Sequence, residues 1–435
     1  MKLLGLKDEL IRQTGLVFVG TGLFNLFNLL YHLFMIRALP PTDYGQLNTL
    51  VSLFLVISVP SGTVQNTVAR FFSSFRVQNR YDQAIELLRR FLVLMAIVTL
   101  SFLLLVLLMS SHISSFLQIS SRRLIILFGL SLVFSMILPI LWGGLQGLKK
   151  FGFYALSLIS NSGLKLVLGI LFIFLGFGIL GAMSAVAVSY FVTMVLSLFM
   201  IGMSLHKKKA AMLGEGIPKR SPPSNFSEVY HYSFSAGLVL LCFMVLTNID
   251  LILVKHFFTP LQAGYYSIAQ MVGKVILILP IPVVTVMFPH LFSLEGQEKK
   301  TRSILERNLR IAVFVCGGAV LCSLLFPSPI VKVLSGEVYS DCLPLVGMFS
   351  VNMTFFSLML ILLYYHLSTP RRGFLYPLLL FTLMEVGLIL LFHDTLVQVL
   401  TVVGIIAFCS ALTNFYLVYH PLPGRGWNRL SGTRR

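Results

Sequence analysis

Twelve long apolar segments, separated by short polar breaks, restrict this chain to folds built from membrane-crossing elements. In order they are Gly15–Ile36, Leu47–Val68, Phe91–Ser111, Leu124–Leu145, Tyr154–Gly176 and Gly178–Leu205. The second set is Tyr232–Phe257, Tyr265–Pro289, Ile311–Phe326, Leu343–His366, Phe374–Phe392 and Leu396–Tyr419. Most exceed the roughly 18 to 20 apolar residues that a helix needs to cross a ~30 Å hydrocarbon layer. Only the ninth, Ile311–Phe326, is short. Backbone N–H and C=O groups in lipid must be bonded within the spanning structure, so helices are predicted throughout. The expected fold class is an all-α integral membrane protein with about 12 transmembrane helices.

Composition leaves little else to build. Charged residues make up 11% of the chain and hydrophobic residues 57%, against about a quarter charged in soluble domains. The longest gap, 206–230, is rich in Lys, Pro and Ser and reads as a cytoplasmic linker. It separates an N-terminal six-helix lobe, 1–205, from a C-terminal one, 231–420; residues 421–435 form a basic tail. No small-residue cleavage site follows the first span, so it is read as a retained helix. The five cysteines lie in or beside spans without metal-ligand spacing. They read as small apolar packing residues, and neither a metal site nor a cofactor is expected.

The formal net charge of +18 would suit nucleic acid, but its placement argues for membrane orientation instead. With the amino terminus inside, 26 of the 33 Lys and Arg fall in the termini and gaps on that side. Only Arg37, Arg122, Arg123, Lys255 and Lys332 fall in outside gaps, and Lys165 and Lys274 lie within spans. This alternation places both termini in the cytoplasm of a multi-pass inner-membrane protein. The basic stretches Arg70–Arg90 and Glu295–Arg310 are expected as short amphipathic helices on the inner leaflet, in contact with membrane lipids.

The two halves share a weak internal register. A displacement of 219 residues lays Pro41 and Gly45 over Pro260 and Gly264. One residue further out of phase, Pro60 matches Pro280, Phe72-Ser73 matches Phe292-Ser293, and Glu86 and Arg90 match Glu306 and Arg310. Six helices plus six in equal orientation predict parallel repeats, two pseudo-symmetric lobes around a central cavity. Pro60, Pro139, Pro280, Pro282 and Pro289 remove backbone donors inside or beside spans, and Gly143-Gly144 adds a predicted flexible point.

At this point the sequence resembles a known family. The stretches Asn248-Ile249-Asp250-Leu251, Val254–Phe258 and Ala263–Gln270 are similar to the seventh and eighth helices of the lipid-linked oligosaccharide flippases. So are the turn Arg37–Gly45 and the helix entry Gly178–Ala182. These flippases form the polysaccharide-transporter branch of the multidrug/oligosaccharidyl-lipid/polysaccharide exporter (MOP) superfamily, which has a MATE-like fold. After about Asp341 the likeness is mainly one of topology. The resemblance implies a flippase that carries a polyprenyl-diphosphate-linked oligosaccharide to the outer leaflet, for O-antigen or exopolysaccharide assembly. A polysaccharide polymerase is then an implied partner.

Ionisable side chains inside a span are costly and mark candidate sites. Lys165 in the fifth span and Lys274 in the eighth, together with Arg37 at the end of the first, are candidate ligands for the diphosphate, since Lys serves as a flexible point-charge donor. Lys274 also lies at a depth similar to Asp250 on the preceding helix, which suits a structural ion pair. Glu385 in the eleventh span reads either as a proton or sodium site or as a partner to another helix. Arg37 can equally snorkel to lipid headgroups. Two other functions stay open: a cation-coupled multidrug exporter of the same superfamily, and a membrane polymerase or ligase. The outside gaps are short, and no nucleophile elbow, phosphate-cradling Gly loop or metal-spaced cluster occurs, so catalysis is not expected.

Overall fold

A computed structural model describes residues 2–212 except 79 and 120, residues 226–282 with 284, 287 and 291, and residues 298–368 and 373–420. Among these, the regular structure is helical: α1 Lys2–Ala38, α2 Pro41–Val77, α3 Tyr81–Leu108, α4 Ser110–Phe116, α5 Arg122–Gly147, α6 Phe151–Phe174 and α7 Gly178–Met212. There follow α8 Phe226–Leu246, α9 Ile249–Phe257, α10 Pro260–Ile278, α11 Glu298–Leu325, α12 Pro327–Ser335, α13 Leu343–Ser368, α14 Leu375–Leu391 and α15 Leu396–Tyr419. Ten helical stretches are long and apolar enough to cross a membrane, and the apolar α14 is shorter. With α10 they account for the twelve predicted spans, and the protein is a multi-pass membrane protein of about 12 helices.

Contacts divide the chain into two compact units. The first holds residues Met1–Leu39 and Ile57–Gly237, the second Pro40–Val56 and Leu238–Arg435. Helix α2 is thus shared along its length: its first turns pack in the second unit and the remainder in the first. Most of the predicted linker, 213–225, and the basic tail lie outside the described residues.

In the first unit α5 is the central helix. Nearly three quarters of its most apolar window is buried, against 17% for the neighbouring α3. A helix that is apolar all round belongs inside, and α5 packs against α3 and α7. Its glycines act by closeness: a methyl at Gly143 would lie 2.4 Å from the Gln65 carbonyl, and one at Gly147 2.5 Å from that of Ala69. Both contacts are to α2, so the expected flexible point is a tight helix crossing. In the second unit α13 has the same place, again 72% buried, and packs against α10, α11 and α15. The fourth span of each half is therefore the core of its unit. Lipid tails are as apolar as leucine, so such bundles are held by close packing and interhelical hydrogen bonds more than by apolar burial.

The basic stretches are not separate surface helices. The first is the end of α2 and the start of α3, and the second opens α11. Arg70–Val77 continues α2, Tyr81–Arg90 runs into α3 and Glu298–Arg310 runs into α11, so these spans carry positive charge at their ends; residues 295–297 lie outside the described residues. The short ninth span likewise lengthens to Lys299–Leu325.

Candidate functional site

Lys165 sits near the middle of α6, where that helix crosses α1 along small residues. A methyl at Gly20 would meet Ala155 at 2.7 Å, and one at Gly169 would meet Tyr31 at 2.8 Å. This closeness brings the Tyr31 ring against Lys165, whose ammonium lies 4.6 Å from the ring centroid. The same ammonium donates to Asn28 Oδ1, while Asn28 Nδ2 donates to the Phe24 carbonyl at 2.7 Å. Tyr31 is itself fixed by its hydroxyl, which donates to the Ala182 carbonyl of α7 at 2.9 Å. Every group holding Lys165 is neutral, and among the described residues no carboxylate is near enough to offset its charge. The side chain is half-buried. Arg37 lies on the same α1, exposed in its last turn, where the helix dipole favours a cation.

The second unit gathers the other candidates. The seventh span is broken at Thr247-Asn248, between α8 and α9. Thr247 Oγ1 bonds the Phe243 carbonyl at 2.8 Å and Asn248 Nδ2 the Met244 carbonyl at 2.9 Å. The Phe243 carbonyl also accepts the Thr247 N–H, whereas the Asn248 N–H turns to Val245, so the Asn248 side chain supplies the bond that the Met244 carbonyl would otherwise lack in lipid. Asp250 consequently stands in the first turn of a new helix, fully buried, where the dipole favours a carboxylate. Its Oδ2 accepts from the Tyr266 hydroxyl at 2.8 Å and its Oδ1 from Gln270 Nε2 at 3.3 Å. Lys274, one turn past Gln270 on α10, makes no direct ion pair with Asp250. Its Nζ donates to Ser52 Oγ of α2 at 3.2 Å and lies within the field of Asp250. Glu385 of α14 is fully buried, neither of its oxygens has a hydrogen-bond partner among the described residues, and it lies within the field of Asp250. The site thus holds two buried carboxylates that sense one another, one well held and one without a bond among the described residues, and a lysine within the field of the first.

Arg37 and Lys165 belong to the first unit; Asp250, Lys274 and Glu385 belong to the second. Sequence reasoning overlooked the neutral members: Asn28 and Tyr31 beside Lys165, and Asn48, Ser52, Tyr266 and Gln270 around Asp250. A signal existed, since Tyr266, Gln270 and Lys274 recur every four residues and share one helix face. It also read Lys255 as a flanking residue in an outside gap. The structure buries it completely in the last turn of α9, with Nζ unbonded and Asp43 the carboxylate in its field.

A family described as "Polysaccharide biosynthesis protein" matches residues 34–344, ending where the sequence likeness had already thinned. No curated protein matches the chain. Among solved structures, a MATE family transporter of the MOP superfamily in an inward-facing conformation aligns with TM-score 0.72 and 14% identity, over 92% of this chain and 93% of that one. Its outward-facing counterpart aligns with TM-score 0.62 and 17% identity, over 94% of each chain. A MOP superfamily transporter from Pyrococcus furiosus, described as having a binding pocket of reverse polarity, gives TM-score 0.60 and 17% identity, over 94% of each chain. The chain belongs to the polysaccharide biosynthesis protein family and carries the fold seen in these MATE transporters.

Proposed function

We propose that this protein is a flippase of the cytoplasmic membrane. It moves a polyprenyl-diphosphate-linked oligosaccharide from the inner to the outer leaflet for surface polysaccharide assembly, by alternating access. The observation that carries this reading is Lys165: a cation near the middle of a span, held only by an amide oxygen and an aromatic face. A charge at that depth is expensive, and where the dielectric is low its attraction for an incoming anion is strong. A diphosphate supplies that anion. The isoprenoid tail stays in lipid, so only the polar head needs a path through protein. Lys274, and Arg37 at the end of α1, are further diphosphate ligands in this reading. Both termini lie in the cytoplasm, as the distribution of Lys and Arg supports. No covalent step is asked of the chain; a polymerase would consume the product on the far side.

The buried pair Asp250–Glu385 is the coupling site in this reading. An unbonded carboxyl facing a second carboxylate calls for a small cation, a proton or sodium, between or on them. The same acids favour one alternative, cation-coupled multidrug export, although both are fully buried and suit a small ion better than a bulky drug.

The test is transport by purified protein in vesicles containing a fluorescent polyprenyl-diphosphate glycan, read with an impermeant quencher. Wild type should move the glycolipid. A hydrogen bond to a charged group is worth about 1.5–3 kcal/mol, so Lys165→Ala should slow movement roughly tenfold or more at unchanged melting temperature. Vesicles that extrude ethidium but leave the glycolipid in place would establish drug export instead.

A further inference from the structure

Asp250 does more than bind. An ionised carboxylate only accepts hydrogen bonds, so it fixes which way round the Gln270 amide sits: Nε2 toward Asp250, Oε1 away. That Oε1 accepts from Asn48 Nδ2 of α2 at 3.1 Å. One turn on, Lys274 reaches α2 again at Ser52, itself one turn beyond Asn48. Two successive rungs therefore join α10 to α2: the first runs through Gln270 to Asp250, and the second starts from Lys274, which lies in the field of Asp250. Before them in the chain, the two backbones touch: a methyl at Gly45 would lie 3.0 Å from Gly264 Cα, and one at Gly264 2.3 Å from the Pro41 carbonyl. The first turn of α2 is thus held by backbone contact that charge does not alter, and the next turns by bonds that it does.

Helix α2 continues beyond these rungs to Val77 as one element, yet from Ile57 onward it belongs to the first unit. Pro60 lies just past that division. It has no N–H to donate to the carbonyl four residues earlier, that of Val56, the last residue of α2 counted in the second unit. The weakest point in the ladder of α2 coincides with the change of unit.

We propose that Asn48 and Gln270, backed by Ser52 and Lys274, are positioning residues that convey cation occupancy of Asp250–Glu385 to α2. When Asp250 is ionised, the amide chain is polarised toward it and both rungs hold α2. When a cation neutralises Asp250, the bond from Gln270 loses its charge assistance and Lys274 its counter-charge, and the grip on α2 weakens above the Pro60 gap. The titratable or charged groups facing Asp250 are Tyr266 and Lys274 on α10 and Glu385 on α14. Helix α15, also packed on α9, carries no Lys, Arg, His or carboxylate.

This inference rests on the coupling-site reading above, and the experiment separates the two. In full-length protein in vesicles, the measured quantity is the ratio of glycolipid flipping with an inward cation gradient to flipping without one. It is taken for proton and for sodium gradients across pH 5.5 to 8.5. For wild type a ratio of about five or more is expected. Gln270→Leu and Asn48→Leu should each bring it close to one and flatten the pH profile. The double variant should lose no more than either single one, because both residues act through one relay. Gln270→Glu, which keeps the shape but cannot donate to Asp250, should fail to restore the ratio. If a leucine variant does not purify, Asn48→Ser carries the same comparison. Ratios that stay at the wild-type value, or losses that multiply in the double variant, overturn the relay. If Asp250→Asn and Glu385→Gln also keep the wild-type ratio, the coupling site itself is misplaced. If those two abolish it while Asn48 and Gln270 variants do not, the site stands and the relay falls.

Discussion

Replacing Glu385 by methionine should make the protein more stable while removing its response to a cation gradient. The side chain is fully buried on α14, and neither oxygen has a partner. Leaving such a group buried and unbonded costs about 1–3 kcal/mol, and Asp250 faces it with like charge. Methionine fills similar space, and volume-conserving replacements usually cost less than about 1.5 kcal/mol. The balance is a gain of roughly 1 kcal/mol, or about 2–4 °C in melting temperature for a cooperative unit of about 200 residues. The measurement is thermal unfolding of purified protein in one detergent at fixed pH, followed by the gradient ratio in vesicles. Leu378→Ala on the same helix, also fully buried, supplies the comparison and should melt lower, because it opens a cavity. If Glu385→Met falls as far as Leu378→Ala, the carboxyl makes contacts that stabilise the fold. The argument that it is retained at a cost for coupling then fails.

Gly264→Ala should destabilise by about 1–3 kcal/mol, since its methyl would lie 2.3 Å from a backbone oxygen that no rotamer change can move aside. Gly62→Ala, with open space at the same position of the side chain, should leave melting unchanged; equal effects in the two would show that the helix crossing is not tight. Lys255→Met removes a buried ammonium without a hydrogen bond and should melt at or above wild type. Lys255→Glu, which brings a second carboxylate toward Asp43, should melt lower, and the reverse order would show that Lys255 stabilises the fold as a bonded cation.

Span count was legible because hydrocarbon leaves the backbone few options, and the repeat because Pro41/Gly45 and Pro260/Gly264 mark the same turn in each half. The structure gives those pairs a reason: Gly45 and Gly264 meet backbone to backbone, so the residues that mark the turn in each half also form a tight crossing of α2 and α10. The break at Thr247-Asn248 left no such trace. It contains neither Pro nor Gly, the apolar run resumes beyond it, and side chains bond the carbonyls beside it. Lys255 misled for a related reason. A lysine at the end of an apolar run reads as an anchor to headgroups, and only the fold reveals that neighbouring helices cover it. Asn48 and Gln270 were illegible singly because their role is relational: each amide's meaning lies in which way the other one points.

In the proposed reading, charge is distributed between the two units as a coupled transporter would need. The first unit has an intramembrane cation with neutral partners at Lys165, which leaves room for an anion to supply the missing charge. The second has two facing carboxylates and one lysine held away from a direct pair, which leaves room for a cation. Had each charge been paired within its own unit, neither would gain from a ligand, and selection for stability alone would favour apolar replacements. In the proposed reading the two unmet demands are of opposite sign, one per unit, so the anionic head and the small cation would draw mainly on different groups, with Lys274 the one they would share. Helix α2, held beside the acids by the Asn48 and Ser52 bonds, is the element on which the proposed relay would act.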